Sequence, residues 1–346
     1  MKILKLIIII LCVTILLIEV FGLFIKNNRY FWENRFMYVG ENDFRALEKG
    51  LWTFKPNSRI IDAATYKFSF SAPWIEYLCD FNTNQYGLVK THLPNSNTKD
   101  IDLLVLGDSF TQGQGGCSWL NEKTTRDFKI NVLNGGLQST GISQFLLLEK
   151  YLSTQVNVKN VVLIAIPQDF FRGVGNYFIQ QSRNCSKTHD CSNNLSYRWS
   201  VKENIPVEDQ LLDSTNERYK SRYPDTSFSI FLREAAYYSL TLDLYFRYKG
   251  LLNNRVSIKE NLFSDNLVSL EALVSKYPDM RVIILPEKPE VGILGFNSAQ
   301  NKMVTDVLNA RSIEYETCEL GIDEFMPIDG HPNKHGYEKL YDCVFN

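Results

Sequence analysis

The sequence has few histidines and no excess of basic charge. Its 346 residues include four histidines, and 37 Lys and Arg stand against 39 Asp and Glu, for a formal net charge of −2. Without a basic stripe, nucleic acid is not expected as a partner. No CxxC pair occurs, so no zinc site is indicated and we expect no metal or other cofactor. The Gly-x-Ser-x-Gly elbow of the α/β-hydrolases is also missing.

One long hydrophobic run lies at the amino terminus. Residues 6–25, LIIIILCVTILLIEVFGLFI, carry Glu19 as their only charge and match the length that crosses a bilayer core of ~30 Å. We predict a transmembrane anchor over residues 1–26. A cleaved signal peptide is the alternative, but the run exceeds the usual apolar region and no small-x-small cleavage pattern follows. Basic residues flank both sides, so charge does not set the orientation: Lys2, Lys5, Lys26, Arg29 and Arg35.

The cysteines beyond this run form an even set: Cys79, Cys117, Cys185, Cys191, Cys318 and Cys343. Such a set is compatible with up to three disulfides, which persist outside the cytoplasm. We therefore predict a single-pass membrane protein whose domain lies on the periplasmic or extracytoplasmic side. Buried free thiols in a cytosolic domain are the alternative.

Two patterns divide the remaining chain. Residues 27–100 are aromatic, alternate apolar and polar side chains in places, and contain Pro and Asn-rich turns, which predicts an irregular, β-rich extension. In residues 101–346 strands alternate with helices, which predicts a three-layer α/β/α domain with a mostly parallel sheet. The predicted strands are 101–107, 130–136, 158–167, 280–286 and 312–320.

A polar insertion interrupts this domain at about residues 170–263. Its second half contains an aromatic amphipathic stretch, SIFLREAAYYSLTLDLYFRYKGLL, which predicts a helix whose aromatic stripe is packing surface. We interpret the insertion as a lid or cap over the sheet edge.

The stretch LVLGDSFTQG ends an apolar strand in Gly-Asp-Ser. Ligands of parallel sheets bind beyond the carboxyl ends of the strands, which is where Ser109 falls. Far along the chain, PIDGHPNKHGY places Asp329 two residues before His331. That carboxylate can fix the imidazole tautomer, and the imidazole can activate a serine hydroxyl. Ser109, Asp329 and His331 are therefore the predicted catalytic residues, with Gly330 in the turn and Pro332 as the first helical residue.

Ser109 has an alternative interpretation. Ser109 could be only a helix N-cap, as could Asp108 or Thr111, but a cap does not explain a matching Asp-His pair. Asp108 is interpreted as structural, holding the turn.

The base motif has alternatives as well. His335 could form a metal pair with Asp329, although no further ligand cluster accompanies it. Asp323 or Glu324 could orient the histidine in place of Asp329. The remaining histidines, His92 and His189, are interpreted as ordinary loop residues.

These motifs carry a resemblance to a known family. GDSFTQG resembles the first block of the SGNH (GDSL-type) hydrolases and DGHPNKHGY their last, with NVLNGGLQSTGISQ and VVLIAIPQDF similar to the second and third blocks, in the family's order. NTNQYGLV is similar to segments ahead of the first block in membrane-anchored bacterial members. Some of those act on polysaccharides as O-acyltransferases or acylesterases. The Asp-x-His spacing resembles the acetyltransferase branch.

The resemblance also implies an oxyanion hole. In the family it comprises the nucleophile's own N–H, a block-two N–H and a block-three asparagine amide. Here the block-two position falls on Ser139, with Gly136 nearby, and the block-three position on Gln168. We expect these three residues to bind the oxyanion or the substrate, in a hole reshaped by the longer glutamine side chain.

Together these features predict a membrane-anchored serine esterase. The resemblance implies O-acyl groups of a carbohydrate or cell-envelope polysaccharide as the substrate. One alternative is a polysaccharide O-acyltransferase, which would require a multi-span membrane partner to supply the acyl donor. The other is a non-catalytic glycan-binding or assembly protein that retains the cleft.

Overall fold

The computed structural model describes residues 2–24, 35–38, 44–47, 51–69, 71–91, 99–120, 130–173, 201–202, 204–223, 228–235, 239, 241–242, 245, 260–288 and 296–346. The predictions on His92, His189, Cys185 and Cys191 lie outside these residues, as does much of the insertion. In chain order the elements are α1 (Lys2–Phe24), β1 (Arg35–Tyr38), β2 (Phe44–Ala46), β3 (Trp52–Phe54), β4 (Arg59–Tyr66), β5 (Trp74–Asn82), β6 (Asp100–Gly107), α2 (Ser109–Gln112), β7 (Val132–Gly136), α3 (Ile142–Ser153), β8 (Asn157–Ala165), a 3₁₀ turn (Pro167–Phe171), α4 (Val207–Arg222), α5 (Phe228–Ala235), α6 (Glu260–Lys276), β9 (Arg281–Ile284), α7 (Phe296–Ala310), β10 (Glu316–Thr317), a second 3₁₀ turn (Ile322–Glu324) and α8 (Lys334–Phe345).

The central sheet is five-stranded, in the order β10-β9-β8-β6-β7, and its strand pairs are parallel. Alternate side chains of β6 face opposite sides, as the pleat requires. Leu104 and Leu106 join the core that contains α3, α6 and α7. Leu103 and Val105 pack with α8. Helices therefore cover both faces, which confirms the predicted α/β class, although the last predicted strand shortens to Glu316–Thr317.

The extension forms a three-stranded antiparallel sheet in the order β1-β4-β5. On one face Ile60 and Tyr77 belong to the same core as the parallel sheet. On the other face Phe36 packs with Leu211 and Tyr219 of α4. Helix α4 of the insertion thus covers the second apolar face of the extension, a position that the predicted lid over the edge of the parallel sheet does not include.

The amino-terminal helix α1 contacts the insertion through Glu19. Its carboxylate accepts hydrogen bonds from the Ser239 hydroxyl at 2.7 Å and from the Thr241 N–H at 3.0 Å. Within the described part of the chain, no helix combines the length and the apolar character needed to cross a membrane. The transmembrane helix predicted over residues 6–25 is accordingly not found there.

Candidate active site

Ser109 lies at the carboxyl end of β6, where the chain turns into the short helix α2. Asp108 is the N-cap of that helix, and its carboxylate accepts the Phe110 N–H at 2.9 Å. Gly107 lets the turn close, because a Cβ there would lie 2.0 Å from Thr111 Oγ1. Asp108 therefore caps α2, which fits its predicted structural role in the turn, and Ser109 is presented beyond the end of the strand.

His331 faces Ser109. Its Nε2 lies 2.8 Å from Ser109 Oγ, and its Nδ1 lies 2.5 Å from Asp329 Oδ2. A second acceptor for the serine hydroxyl, Asp108 Oδ2, is farther away at 3.3 Å. The shorter contact directs the hydroxyl proton toward the imidazole. The structure thus brings together the three predicted catalytic side chains, all of them buried.

A tight turn brings the base and its carboxylate together. Gly330, between them, has a φ of +79°, in the left-handed region that glycine adopts without strain. The helix that follows begins at Lys334 with Asn333 as its N-cap. The prediction of Pro332 as the first helical residue is therefore wrong, because Pro332 forms a β-bridge with Phe325 instead.

The carboxylate of Asp329 is shared between His331 and Arg35 of β1. Arg35 forms an ion pair with Oδ1, and the two side chains are 7% and 0% exposed. Burial by itself would raise the pKa of Asp329, but the charges of Arg35 and then His331 outweigh it and hold the pKa below its usual range. Asp329 is therefore ionised wherever a histidine works as a base.

The base loop, residues 326–331, is held by side chains from both sheets. Glu76 of β5 accepts the N–H of Ile328 at 2.7 Å and that of Asp329 at 3.1 Å. Lys288, which follows β9, donates to the Pro327 carbonyl at 2.7 Å. Burial raises the pKa of Glu76 and lowers that of Lys288 to about 8. The loop is thus fixed by charge-assisted hydrogen bonds on two sides.

A second buried carboxylate of the extension contacts the nucleophile helix. Asp62 of β4 accepts a hydrogen bond from Gln112 Nε2 at 3.2 Å and one from the Tyr77 hydroxyl at 3.5 Å. Gln112 Oε1 in turn accepts the Gln138 N–H at 3.0 Å. Burial raises the pKa of Asp62 to about 7, against the opposing charge of Arg35. Asp62 therefore links the extension to α2 and to the turn after β7.

Disulfides form within the predicted cysteine set. Cys79 of β5 is joined to Cys117 in the loop after α2, which ties the extension covalently to the nucleophile segment. Cys318 after β10 is joined to Cys343 of α8. Four of the six cysteines are thus paired, which is compatible with the disulfides that the even set allows.

Arg172 organises the parallel-sheet side of the site. Its guanidinium donates to Asp108 Oδ2 and to Asp169 Oδ1, each at 2.6 Å, and to Gln168 Oε1 at 2.7 Å. Burial, followed by the nearby charge of Asp108, raises the pKa of Asp169 well above its usual range. Arg172 therefore joins the turn after β6 to the turn after β8.

Of the predicted oxyanion residues, Gln168 lies on the turn after β8, Gly136 ends β7, and Ser139 lies on the turn that follows β7. Arg172 donates a hydrogen bond to the amide oxygen of Gln168. The amide nitrogen of Gln168 therefore faces away from the guanidinium. Ser139 has a φ of +59°, a left-handed backbone that is uncommon outside glycine. Gly136 serves differently from the prediction, because its N–H donates to Asn134 Oδ1 at 2.9 Å. A Cβ at Gly136 would lie 2.0 Å from a backbone nitrogen of α2, so glycine is required for that close approach.

The alternative base residues lie elsewhere. His335 is exposed and its Nδ1 is 3.4 Å from Glu338. Asp329 contacts the imidazole, whereas Glu324 accepts a hydrogen bond from the Gly321 N–H. Across the described ranges no group of three or more His, Cys, Asp or Glu side chains is placed to hold a metal ion.

Several residues of the site are not indicated by the sequence motifs. Glu76 and Ile328 are 252 residues apart in the chain, and the sequence places Arg35 among the charges that follow the hydrophobic run. Arg172 has no motif of its own. One signal exists, because Asp62 is an acidic residue inside the apolar strand RIIDAATY, and an acid in such a position is rarely buried without a partner.

No protein-family model and no curated protein matches the chain. Among solved structures, it is similar to a member of the lipolytic protein G-D-S-L family from Veillonella parvula DSM 2008, with 11% identity, a TM-score of 0.35, and coverage of 70% of this chain and 96% of that one. It is also similar to a carbohydrate esterase whose active site displays divergent catalytic and non-catalytic binding functions, with 12% identity, a TM-score of 0.34, and coverage of 89% and 95%. Likeness at this level establishes neither a shared fold nor a shared activity.

Proposed function

We propose that this protein is an SGNH-type serine esterase. The observation that carries the proposal is the hydrogen-bonded chain from Ser109 Oγ to His331 Nε2 at 2.8 Å and from His331 Nδ1 to Asp329 Oδ2 at 2.5 Å. Nucleophile, base and orienting acid are in contact in the order that acyl transfer requires. The motif resemblance in the four sequence blocks supports the same family.

The proposed reaction moves one proton at each step. His331 Nε2 takes the proton of Ser109 as Oγ bonds to the ester carbonyl carbon, and Asp329 stabilises the imidazolium through the Nδ1 hydrogen bond. The imidazolium then protonates the departing alcohol, which leaves an acyl group on Ser109. Water attacks that acyl group with His331 as base, and the acid leaves as Ser109 recovers its proton.

The developing oxyanion needs donors that are already in place. The N–H of Ser109 lies at the first position of α2, where no carbonyl of the helix accepts it. The amide nitrogen of Gln168 is the second proposed donor, since Arg172 holds its oxygen. The third is the N–H of Ser139. Gly136 is assigned to packing because its N–H is bonded to Asn134.

Substrate and location are finer parts of the proposal. The family resemblance favours O-acyl groups of a carbohydrate or cell-envelope polysaccharide. The Cys79–Cys117 and Cys318–Cys343 disulfides support a domain outside the cytoplasm. Attachment through the amino-terminal helix stays a prediction, as does any membrane partner that supplies an acyl donor.

The test is hydrolysis of p-nitrophenyl acetate and butyrate by the full chain in mild detergent. We expect Ser109→Ala to reduce turnover by on the order of 10,000-fold or more. Ser153→Ala, at the far end of α3, is the matched control and should keep the wild-type rate. Equal turnover by wild type and Ser109→Ala would contradict the proposal. A folded wild type inactive on both esters would also contradict it and would favour glycan binding.

A further inference from the structure

We propose that Arg35 is a positioning residue of the active site: from the extension it holds Asp329 as an oriented, charged partner of His331. The inference rests on the proposed function and deepens it. It makes the antiparallel sheet part of the catalytic machinery, where the motifs alone would place the machinery wholly in the α/β domain.

The ion pair between Arg35 and Asp329 is isolated from water. The side chains are 7% and 0% exposed, so solvent does little to screen the charges. Arg35 pairs with Oδ1, which leaves Oδ2 to face His331 Nδ1 at 2.5 Å. The two oxygens of one carboxylate thus have different partners. Loss of the Arg35 contact would free the carboxylate to rotate away from the imidazole.

The backbone of Asp329 is fixed from the same sheet. Glu76 accepts the N–H of Asp329 and that of its neighbour Ile328, so the extension holds both the main chain and the side chain of the orienting acid. Small displacements of such a group are costly, because a misplacement of about 1 Å can reduce rates ~100-fold. Holding Asp329 by two strands is therefore expected to affect turnover more than substrate binding.

The same sheet contains a matched ion pair that should not affect catalysis. Arg59 of β4 pairs with Asp80 of β5, and these side chains are 58% and 45% exposed. Exposed pairs contribute little to stability. Arg59 therefore lies in the same sheet as Arg35 and forms the same kind of ion pair. Its partner Asp80 is exposed, however, and does not contact His331.

The positive charge of Arg35 also opposes protonation of the Asp329–His331 pair. The titratable or charged groups that interact with Asp329 from the elements packed around it are Arg35, Asp62, Tyr66, Glu76, Tyr77, Lys288, His331 and Tyr337. Of these, Arg35 is the cation in direct contact with Asp329 Oδ1. Its removal makes a proton easier to bind at the pair, so the acid limb of the pH profile should move to higher pH.

The kinetic test compares Arg35→Met, Arg35→Lys and Arg59→Met in the full chain. We expect Arg35→Met to lower kcat by on the order of 10-fold to 100-fold with little change in KM, and to move the acid limb of kcat/KM upward by about one pH unit. Arg35→Lys should restore the limb, and Arg59→Met should match wild type. An acid limb that stays in place in an active Arg35→Met variant overturns the inference.

A thermal double-mutant cycle tests the pair without turnover. Arg35→Met should lower Tm by on the order of 5 to 10 °C in the wild-type background, where it removes the cation from a buried carboxylate, and by much less in the Asp329→Asn background. An equal drop in both backgrounds overturns the inference. A wild type without Ser109-dependent turnover overturns the proposed function instead. The thermal cycle still shows in that case whether Arg35 and Asp329 interact.

Discussion

The parallel and antiparallel sheets contribute to one site in different ways. The parallel sheet presents groups from turns beyond its strand ends, namely Ser109 after β6 and Gln168 after β8. The antiparallel sheet contributes side chains from the strands themselves, namely Arg35, Asp62 and Glu76. Turns at the ends of strands can place a reacting atom at the surface of a cleft, whereas strands in a packed core hold their side chains in fixed positions. Ser109 and Gln168 therefore follow strands of the parallel sheet, whereas part of the support of Asp329 and His331 comes from the antiparallel sheet.

An arginine on the side of each sheet joins two segments of the site, and its side chain is 19% exposed for Arg172 and 7% exposed for Arg35. Arg172 connects the turns after β6 and β8 through Asp108 and Asp169. Arg35 connects the extension to the base loop through Asp329. The first lies within the motif-bearing domain and the second crosses to it from the extension. Variants that separate stability from turnover can therefore distinguish the contributions of the two sheets.

The largest loss of stability is expected for Arg172→Met. The carboxylates of Asp108 and Asp169 would remain buried without their cation, which costs about 3–5 kcal/mol in free energy of unfolding. Urea unfolding measures this. Arg311→Met is the control, because Arg311 and Glu271 form an exposed pair, and it should change stability by about 1 kcal/mol or less. A similar small loss for both variants would contradict the assigned role of Arg172.

Gln168→Ala tests the parallel-sheet side without disturbing the core, since Gln168 is exposed. Loss of one oxyanion donor should reduce kcat about 100-fold to 1000-fold with little effect on Tm. Gln168→Asn should recover part of the rate. Gln155→Ala, just before the opposite end of β8, is the control and should leave kcat and KM unchanged. A wild-type kcat in Gln168→Ala would remove Gln168 from the oxyanion hole.

The two disulfides within the described residues offer a comparison of nearly matched covalent links. They close segments with sequence separations of 38 and 25 residues, so Cys79→Ser/Cys117→Ser and Cys318→Ser/Cys343→Ser should each cost about 2–4 kcal/mol. Only the first pair ties the extension to the segment after Ser109. We expect turnover at a temperature where both variants are folded to fall about 10-fold in the first alone. Equal turnover in the two variants would contradict a role for that link in the site.

The contribution of Asp62 to stability depends on pH. Its pKa is raised to about 7 by burial, whereas an unfolded aspartate titrates near ~3.9. Between these values the folded protein holds a proton that the unfolded chain releases, so stability falls as pH rises through the window. Asp62→Asn removes this fall, and its Tm should exceed that of wild type by a few degrees at pH 8 but not at pH 4. Identical pH dependence of Tm would show that Asp62 does not titrate there.

The sequence predicts the parallel sheet and the catalytic residues because both are encoded locally. Apolar runs of strand length indicate β6 and β8. GDS and DGH are short motifs, and their residue types indicate their chemistry. The roles of Arg35 and Glu76 could not be predicted from the sequence, because their partner Asp329 is distant in the chain and no fixed spacing connects them to it. The position of α4 could not be predicted for a related reason. Nothing in the sequence of α4 shows that the apolar face it covers belongs to β1 and β4 of the extension.

Gly136 shows where a motif position and its role diverge. The family resemblance places it near the oxyanion, and the structure does place it beside α2. Its N–H is nevertheless taken by Asn134, an interaction that depends on the local backbone and cannot be read from the motif.

The central claim is that Ser109 is an activated nucleophile. The most direct measurement is reaction of the folded full chain with a fluorophosphonate, read by intact mass and peptide mapping, for wild type and Ser109→Ala. We predict one adduct per wild-type chain, located on Ser109, and none in the variant. No adduct on the folded wild type, or an adduct on another residue that persists in Ser109→Ala, would contradict the account.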